Sequence, residues 1–334
     1  MGEFHGFLAV DRQLTDADRK ELRSVSTRAR ITGTSFANSY DFGSFKGDPE
    51  KFMRRWFDIH LYAADWDTRR VMFRFPSRLV DVQGLDEFLM NVEFVRVLTS
   101  GKNLIVDIHR SGEDDGYDPD DGFDGEDDGA GRLAELAVLR GAVLAGDLRL
   151  FYLLWLTSLD DPELLDSGLE PLPGLGLVTG ELQTFAEIIG ADPDLVDAAA
   201  ECPAGARPAA SARMSVRQAI ASLPESEKAA MLGRLHDGDP HVAAEIQALV
   251  RKQVSAVSGS AHDTRRTVGE LRARALEIRT ARERVEAEKE AAERERKARQ
   301  EAAERARALD AGRKQPRSGA RTVARRTGNQ TRTR

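Results

Sequence analysis

The sequence contains a single cysteine, Cys202, among its 334 residues. One cysteine excludes an intramolecular disulfide framework and a cysteine-rich zinc site. The amino-terminal residues MGEFHGFLAVDRQLTD lack a basic segment followed by an apolar one, which is the pattern of a signal peptide. No uninterrupted apolar run approaches the ~20 residues that span a bilayer. We therefore expect a cytoplasmic protein that does not associate with a membrane.

Catalytic and nucleotide-binding motifs are lacking as well. Neither G-x-S-x-G nor G-x-x-x-x-G-K-[ST] occurs in the chain. The segment 174–180, GLGLVTG, resembles a dinucleotide-binding fingerprint, but it follows Pro-Leu-Pro rather than a strand, so we interpret it as a loop that opens a helix. We expect no cofactor, and we favour a protein that is not an enzyme.

Charge is distributed unevenly along the chain. The net charge of −7 combines about +1 over residues 1–110, −18 over 111–262 and +10 over 263–334. Such asymmetry is typical of chains with an acidic or basic interaction segment. The two charged parts can also attract each other, so the asymmetry alone does not establish an external partner.

Residues 1–110 have the pattern of an α+β domain with an antiparallel sheet. Val71, Phe73 and Phe75 alternate with more polar neighbours, which predicts a half-buried strand. Strand-like runs on both sides of Ser100-Gly101-Lys102 predict a hairpin. Thr15-x-x-Asp18 and Asp48-Pro49 predict two helix starts.

The rest of the chain divides into four further segments by composition. We predict an acidic, flexible linker at 111–129, a helical domain at 130–262, a long charged helix at 263–310 and a disordered basic tail at 311–334. The segment LRLFYLLWLTSL is apolar on nearly every side, so it is expected at the centre of the helical domain.

The long helix has two interpretations. Leu271, Ile278, Val285 and Ala292 recur every seven residues, which favours a coiled coil and a homodimer through residues 264–286. A coiled coil needs a second apolar position in each heptad, and long cations stand at several of these positions. Together with Glu–Arg and Glu–Lys pairs four residues apart, they favour a solitary or docked helix.

Two D-x-H triplets are candidates for metal ligands. They are Asp58-Ile59-His60 and Asp107-Ile108-His109. On strands, residues two apart share a face, so neighbouring strands would bring two carboxylates and two imidazoles together. The alternative is that these are ordinary polar residues at strand or helix ends.

The basic tail is a candidate site for a polyanion. It carries eight cations with no acidic residue among them: Arg313, Lys314, Arg317, Arg321, Arg325, Arg326, Arg332 and Arg334. Cations of this kind bind nucleic acid by releasing its counterions. A solubility tail is the alternative. In the first domain, arginines interleave with aromatic residues, a mixture that can bind single-stranded nucleic acid. The alternative is that the aromatic residues are structural, since Trp56 and Phe57 are expected in the core.

Four stretches resemble an uncharacterised family of bacterial proteins, over about residues 1–235. They are FLAVDRQLTDADRKELRSVSTRARIT, SFANSYDFGSFKGDPEKFMRRWFD, GDLRLFYLLWL and PGLG followed by LQTFAEIIGADPDLVDAAAE. The resemblance implies no activity and no catalytic residue. Relatives encoded near SWIM zinc-finger and helicase proteins would favour a nucleic-acid-associated role.

These observations lead to three functional hypotheses. The first is a non-enzymatic binding or scaffold protein that engages a protein or nucleic-acid partner through the long helix and the tail. The second is a metal-dependent enzyme with a site around Asp58, His60, Asp107 and His109. The third is a homodimeric structural protein.

Overall fold

The computed structural model describes residues 2–40, 44–64, 68–111, 126–201, 216–257 and 265–314. Within these ranges the chain is a mixed α+β protein with one seven-stranded antiparallel sheet in the order β2-β3-β1-β4-β5-β7-β6. The strands are β1 (Glu3–Leu8), β2 (Arg30–Ile31), β3 (Ser35–Tyr40), β4 (Ile59–Ala64), β5 (Arg69–Pro76), β6 (Val95–Ser100) and β7 (Asn103–Arg110).

Eleven α-helices are described. They are α1 (Asp16–Val25), α2 (Pro49–Arg55), α3 (Val82–Leu89), α4 (Glu126–Leu144), α5 (Arg149–Leu156), α6 (Gly180–Ile188), α7 (Pro193–Ala200), α8 (Val216–Ser222), α9 (Glu225–His236), α10 (Val242–Val257) and α11 (Val268–Lys314). The α+β class and the antiparallel sheet are confirmed.

Local sequence signals set several of these boundaries. Thr15 and Asp18 form a reciprocal capping box at the start of α1, as predicted. Asp48 accepts hydrogen bonds from the backbone N–H groups of Glu50 and Lys51, which starts α2 at Pro49. The hairpin between β6 and β7 turns at Gly101, whose φ of 62° lies in the left-handed region.

The sheet is covered on both faces. Along β5, Val71, Phe73 and Phe75 join a large apolar core with α3 to α7, whereas Met72 joins a smaller core with α1 and α2 on the other face. Every residue of α5 is buried except Arg149 at its start. The apolar segment LRLFYLLWLTSL is therefore buried, as its composition predicted, but in a core that the helices share with the sheet rather than at the centre of a separate helical domain.

The segment predicted as a linker between two domains has buried structure on both sides. Residues 112–125 lie outside the described residues, and α4 begins at Glu126, so the last four residues assigned to the linker are helical. Leu133, Leu136 and Leu139 of α4 pack into the same core as Ile59 and Phe73 of the sheet. The sheet and the helices after it share one apolar core.

By its internal contacts the chain divides into two units, Met1–Ile278 and Arg279–Arg334. Helix α11 contributes its first residues, Val268, Leu271 and Ala275, to the core of the first unit. We call residues 265–278 the helix root and residues 279–307 the charged shaft.

Taken one at a time, the described helices are all too short or too polar to cross a membrane. One bent pair, Gly129–Leu144 with Arg149–Asp160, meets that test by length and composition only when the two are counted together. The apolar side chains of this pair lie mostly in the large core.

Candidate functional site

The two D-x-H triplets lie on one face of the sheet but not on neighbouring strands. Asp58 directly precedes β4, which contains His60, while Asp107 and His109 belong to β7. Strand β5 separates them, and its Met72 is paired in register with both His60 and Asp107. The two triplets are therefore not on directly paired strands, which the metal-site hypothesis required.

The carboxylate of Asp58 accepts hydrogen bonds from Arg74 and from two backbone N–H groups. The Nε and Nη2 atoms of Arg74 donate to Asp58 Oδ1 at 3.0 and 2.7 Å. The backbone N–H groups of Val10 and Asp11 donate to Oδ2 at 2.7 and 2.9 Å. Asp58 itself has no exposed surface. A carboxylate with both oxygens bound in this way is a structural anion rather than an open metal ligand.

The network around Asp58 extends to the helices. Arg140 of α4, which is 2% exposed, donates to the carbonyl oxygen of Arg74 at 2.7 Å and to Asp11 at 2.7 and 2.8 Å. His241, just before α10, places its Nε2 3.0 Å from Asp11. Burial raises the pKa of Asp11, but the hydrogen bonds from His241 and Arg140 outweigh it and leave that pKa below its ordinary value.

The carboxylate of Asp107 accepts hydrogen bonds from two arginines. Arg70 donates to both of its oxygens, at 2.7 and 2.8 Å, and Arg96 donates at 2.5 Å. Burial raises the pKa of Asp107, but the hydrogen bonds and charge of Arg70, followed by those of Arg96, outweigh it and lower that pKa. Within the described residues, no group of three or more His, Cys, Asp or Glu side chains is placed to hold a metal ion.

Beside Arg70 and Asp107 lies a cleft with aromatic and polar lining residues, which the sequence did not predict as a unit. It has a volume of about 260 Å³ and is lined by side chains from β1, β4, β5 and β7 and the segment before α2. We call it the histidine cleft. Its principal lining residues are His5, Phe45, His60, Tyr62, Arg70 and His109.

Two buried imidazoles face each other in this cleft. His5 Nδ1 and His60 Nε2 are 3.4 Å apart, and the ring centroids are 5.6 Å apart with nearly parallel planes. A zinc ion needs bonds of ~2.0–2.1 Å to each nitrogen, so it would have to lie off the line that joins them. Nitrogens that face each other head on instead favour one weak N–H···N hydrogen bond.

These histidines are held neutral. Burial, and then the charge of Arg70, lower the pKa of His5 to about 3. Burial also lowers the pKa of His60 well below its ordinary value, with smaller contributions from His5 and Arg70. Burial likewise lowers the pKa of His109, and it raises the pKa of Tyr62 to about 12. At neutral pH these imidazoles and the Tyr62 phenol are therefore uncharged, and they lie beside the charged side chain of Arg70.

The helix root is held by a second buried anion. Glu170, which has no exposed surface, accepts hydrogen bonds from the Tyr152 hydroxyl and from Arg266. Arg266 also donates to the carbonyl oxygen of Ala198, near the end of α7, at 2.7 Å. Thr267 and Glu270 then form a capping box that starts α11.

Further along the root, Arg272 donates to the carbonyl oxygens of Leu159, Asp161 and Leu164 at 2.9, 2.6 and 3.1 Å. Leu271, the first member of the seven-residue apolar row, has no exposed surface. This row was the basis of the homodimer hypothesis. In this row Leu271 belongs to the core of the first unit and Ile278 packs against it, and Val268 and Ala275, at the second position of the heptads, lie in the same core.

The charged shaft has a different character. Every side chain from Thr280 to Arg305 is exposed. Arg294, Arg299 and Arg305 pair with glutamates one turn earlier at 2.7, 2.5 and 3.0 Å, as the spacing predicted. Val285, the remaining large apolar residue of the row, is 43% exposed.

The predicted polyanion-binding residues lie at the end of α11 or beyond the last described residue, Lys314. Helix α11 runs to Lys314, so Arg313 and Lys314 are helical rather than part of a disordered tail. The other six, from Arg317 to Arg334, lie outside the described residues. In the first unit, Trp56 is buried, as expected, and Arg55 pairs with Glu21.

Comparisons of the chain with protein families, with curated proteins and with solved structures find no match. The resemblance to an uncharacterised bacterial family therefore stays a prediction.

Proposed function

We propose that the protein is a non-catalytic, cytoplasmic binding or scaffold protein that engages a nucleic-acid or protein partner through the charged shaft and the basic tail. The observation that carries this proposal is the contrast within α11. One face of its root is buried and hydrogen-bonded, whereas all side chains from Thr280 to Arg305 are exposed. A helix that is fixed at one end and exposed along the rest is suited to presenting charge to a partner.

The sign of the charge favours a polyanion. In the shaft, glutamates and arginines largely pair with one another, so their fields cancel over short distances. The eight cations from Arg313 to Arg334 have no acidic residue among them. Uncompensated cations raise both the affinity and the association rate for nucleic acid. The tail therefore supplies the attraction, and the shaft supplies its link to the folded unit.

Two matched triple variants test this proposal. One changes Arg325, Arg326 and Arg332 to Gln, and the other changes the exposed residues Lys20, Lys51 and Lys102 to Gln. Binding to a 20-base-pair DNA and to single-stranded RNA is titrated over salt concentration. We expect the tail variant to flatten the slope of log K against log salt by about 3, because each lost phosphate contact removes about 0.9.

The lysine variant is expected to keep the slope of the natural chain. Equal slopes in both variants, or no binding of either nucleic acid by the natural chain at low salt, would show that the tail does not bind a polyanion. Capture of a specific protein partner that depends on residues 279–307 would then support the scaffold function alone.

A further inference from the structure

The histidine cleft is lined by flat side chains. The ring of His5 lies 4.6 Å from the rings of both Phe45 and Tyr62, and His60 stacks on Phe7 at 4.2 Å. Rings at these separations form offset or tilted stacks, and they favour a further planar ring over an aliphatic ligand. At about 260 Å³, the cleft is smaller than the ~300–1,000 Å³ of sites for drug-sized molecules, so it suits one small ring system.

The cleft is also electrically balanced. The guanidiniums of Arg70 and Arg96 share the carboxylate of Asp107. The carboxylate of Glu3, 3.8 Å from His5 Nε2, offsets the second of these positive charges. The imidazoles are neutral at pH 7 because burial lowers their pKa values. A phosphate or a metal cation would therefore find no excess of opposite charge here. An uncharged ligand with donors and acceptors along its edge meets no such mismatch.

One polar atom at this site lacks a protein partner. His60 lines the cleft, has no exposed surface, and among the described residues nothing hydrogen-bonds to its Nδ1 atom. A buried polar atom left unpaired costs about 1–3 kcal/mol, and such atoms call for an explanation. A rotation of the His60 ring that turns this atom toward the cleft would let a ligand edge supply the missing hydrogen bond and recover this free energy on binding.

We propose that the histidine cleft binds a flat, uncharged nitrogen heterocycle of the size of a nucleobase. Its ring stacks among Phe45, Tyr62 and His109, and its edge hydrogen-bonds to the imidazoles of His5 and His60. This site is distinct from the tail, so it does not depend on the polyanion binding proposed above.

Calorimetric titration of the full chain with adenine, hypoxanthine, cytosine and uracil tests the proposal. We expect at least one base to bind with Kd below about 1 mM, which corresponds to about −4 kcal/mol. The matching nucleoside and nucleoside monophosphate form two further arms. The phosphate should add no affinity, and binding should be insensitive to salt and to the tail substitutions.

The variant His60→Phe keeps a flat ring but removes the hydrogen-bonding edge, and it is expected to weaken binding about tenfold. Tyr62→Ala is a second variant in case His60→Phe does not fold, and exposed His236→Ala is the control that should bind normally. The proposal is overturned if no base binds, if only the monophosphate binds, or if both cleft variants bind as tightly as the natural chain.

Discussion

The first unit and the charged shaft hold their charges in opposite ways. In the first unit, Asp58, Asp107 and Glu170 have no exposed surface, and each forms an ion pair with an arginine from a distant part of the chain. In the shaft, Glu290, Glu295 and Glu301 pair with arginines at the surface, within a single helix. The same residue types therefore produce tertiary links in the first unit, whereas these three pairs of the shaft are local.

Buried and surface ion pairs differ in how much free energy is lost when they are broken. A buried ion pair costs much free energy when one partner is removed, because the other charge is then left unpaired in a medium of low dielectric constant. A surface pair is worth little and is screened by salt. Charges of the first kind fix the fold. Charges of the second kind can exchange one partner for another, which is what a binding segment requires.

The largest expected effect comes from the buried Asp58 network. Asp58→Ala leaves the guanidinium of Arg74 unpaired and should lower the free energy of unfolding by about 3–5 kcal/mol. Glu290→Ala in the shaft should change it by less than about 0.5 kcal/mol. Urea denaturation of both variants, followed by tryptophan fluorescence, measures the difference. Equal losses in the two variants would abolish the distinction between the regions.

The root should respond like the first unit although it belongs to the same helix as the shaft. Arg266→Met leaves Glu170 buried with fewer donors, so we expect a loss of about 3 kcal/mol in the free energy of unfolding. The exposed pair of Arg274 with Glu201 provides the control, because Arg274→Met should cost about 1 kcal/mol or less. A negligible effect of Arg266→Met would mean that the root is not fixed by Glu170.

The histidine cleft predicts a dependence of stability on pH. His5 is neutral in the folded chain, with its pKa at about 3 rather than 6.5, and the pKa of His60 is also lowered. The stability that depends on neutral His5 is complete above pH 6.5 and is lost as pH falls toward 3, because the unfolded chain binds the proton first. Within this window each such histidine contributes up to about 1.4 kcal/mol per pH unit.

His5→Phe should therefore flatten the decline in the free energy of unfolding between pH 6.5 and 3, measured by denaturation at several pH values. The exposed His236→Ala variant should follow the natural chain. An unchanged slope in His5→Phe would show that this imidazole is protonated in the folded state or already neutral when the chain is unfolded.

The smallest effect compares one substitution at two places in α11. Ala291→Gly in the shaft should weaken the local helix by about 1 kcal/mol and leave the unfolding midpoint of the first unit unchanged. Ala275→Gly in the root should lower that midpoint, because Ala275 is 4% exposed and belongs to the large core. Circular dichroism at 222 nm during thermal unfolding distinguishes the two. A midpoint shift for Ala291→Gly would contradict the purely local stability of the shaft.

Local elements were predictable from the sequence because their signals are local. The capping box at Thr15, the Asp48-Pro49 helix start and the alternation in β5 need only neighbouring residues. The surface glutamate–arginine pairs of the shaft follow from helical spacing in the same way. The central position of α5 followed from its apolar composition.

The candidate site was not predictable to the same degree, because strand order brings its residues together. The D-x-H spacing correctly places each Asp and His on one face, but nothing in it shows that β5 lies between the two triplets. The links of Asp58 to Arg74 and of Asp11 to Arg140 join distant parts of the chain. His5 carried no motif at all, and only its pairing with β4 brings it to His60.

The central claim is that the root is part of the folded unit whereas the shaft is stabilised locally and available to a partner. Hydrogen exchange of the full chain, with and without a 20-base-pair DNA, tests it most directly. We predict that amides of residues 268–278 exchange only on global unfolding, and that amides of 282–305 exchange much faster but slow down when DNA is added. Strong protection of 282–305 in the free chain, or no response to DNA anywhere in residues 279–334, would contradict the account.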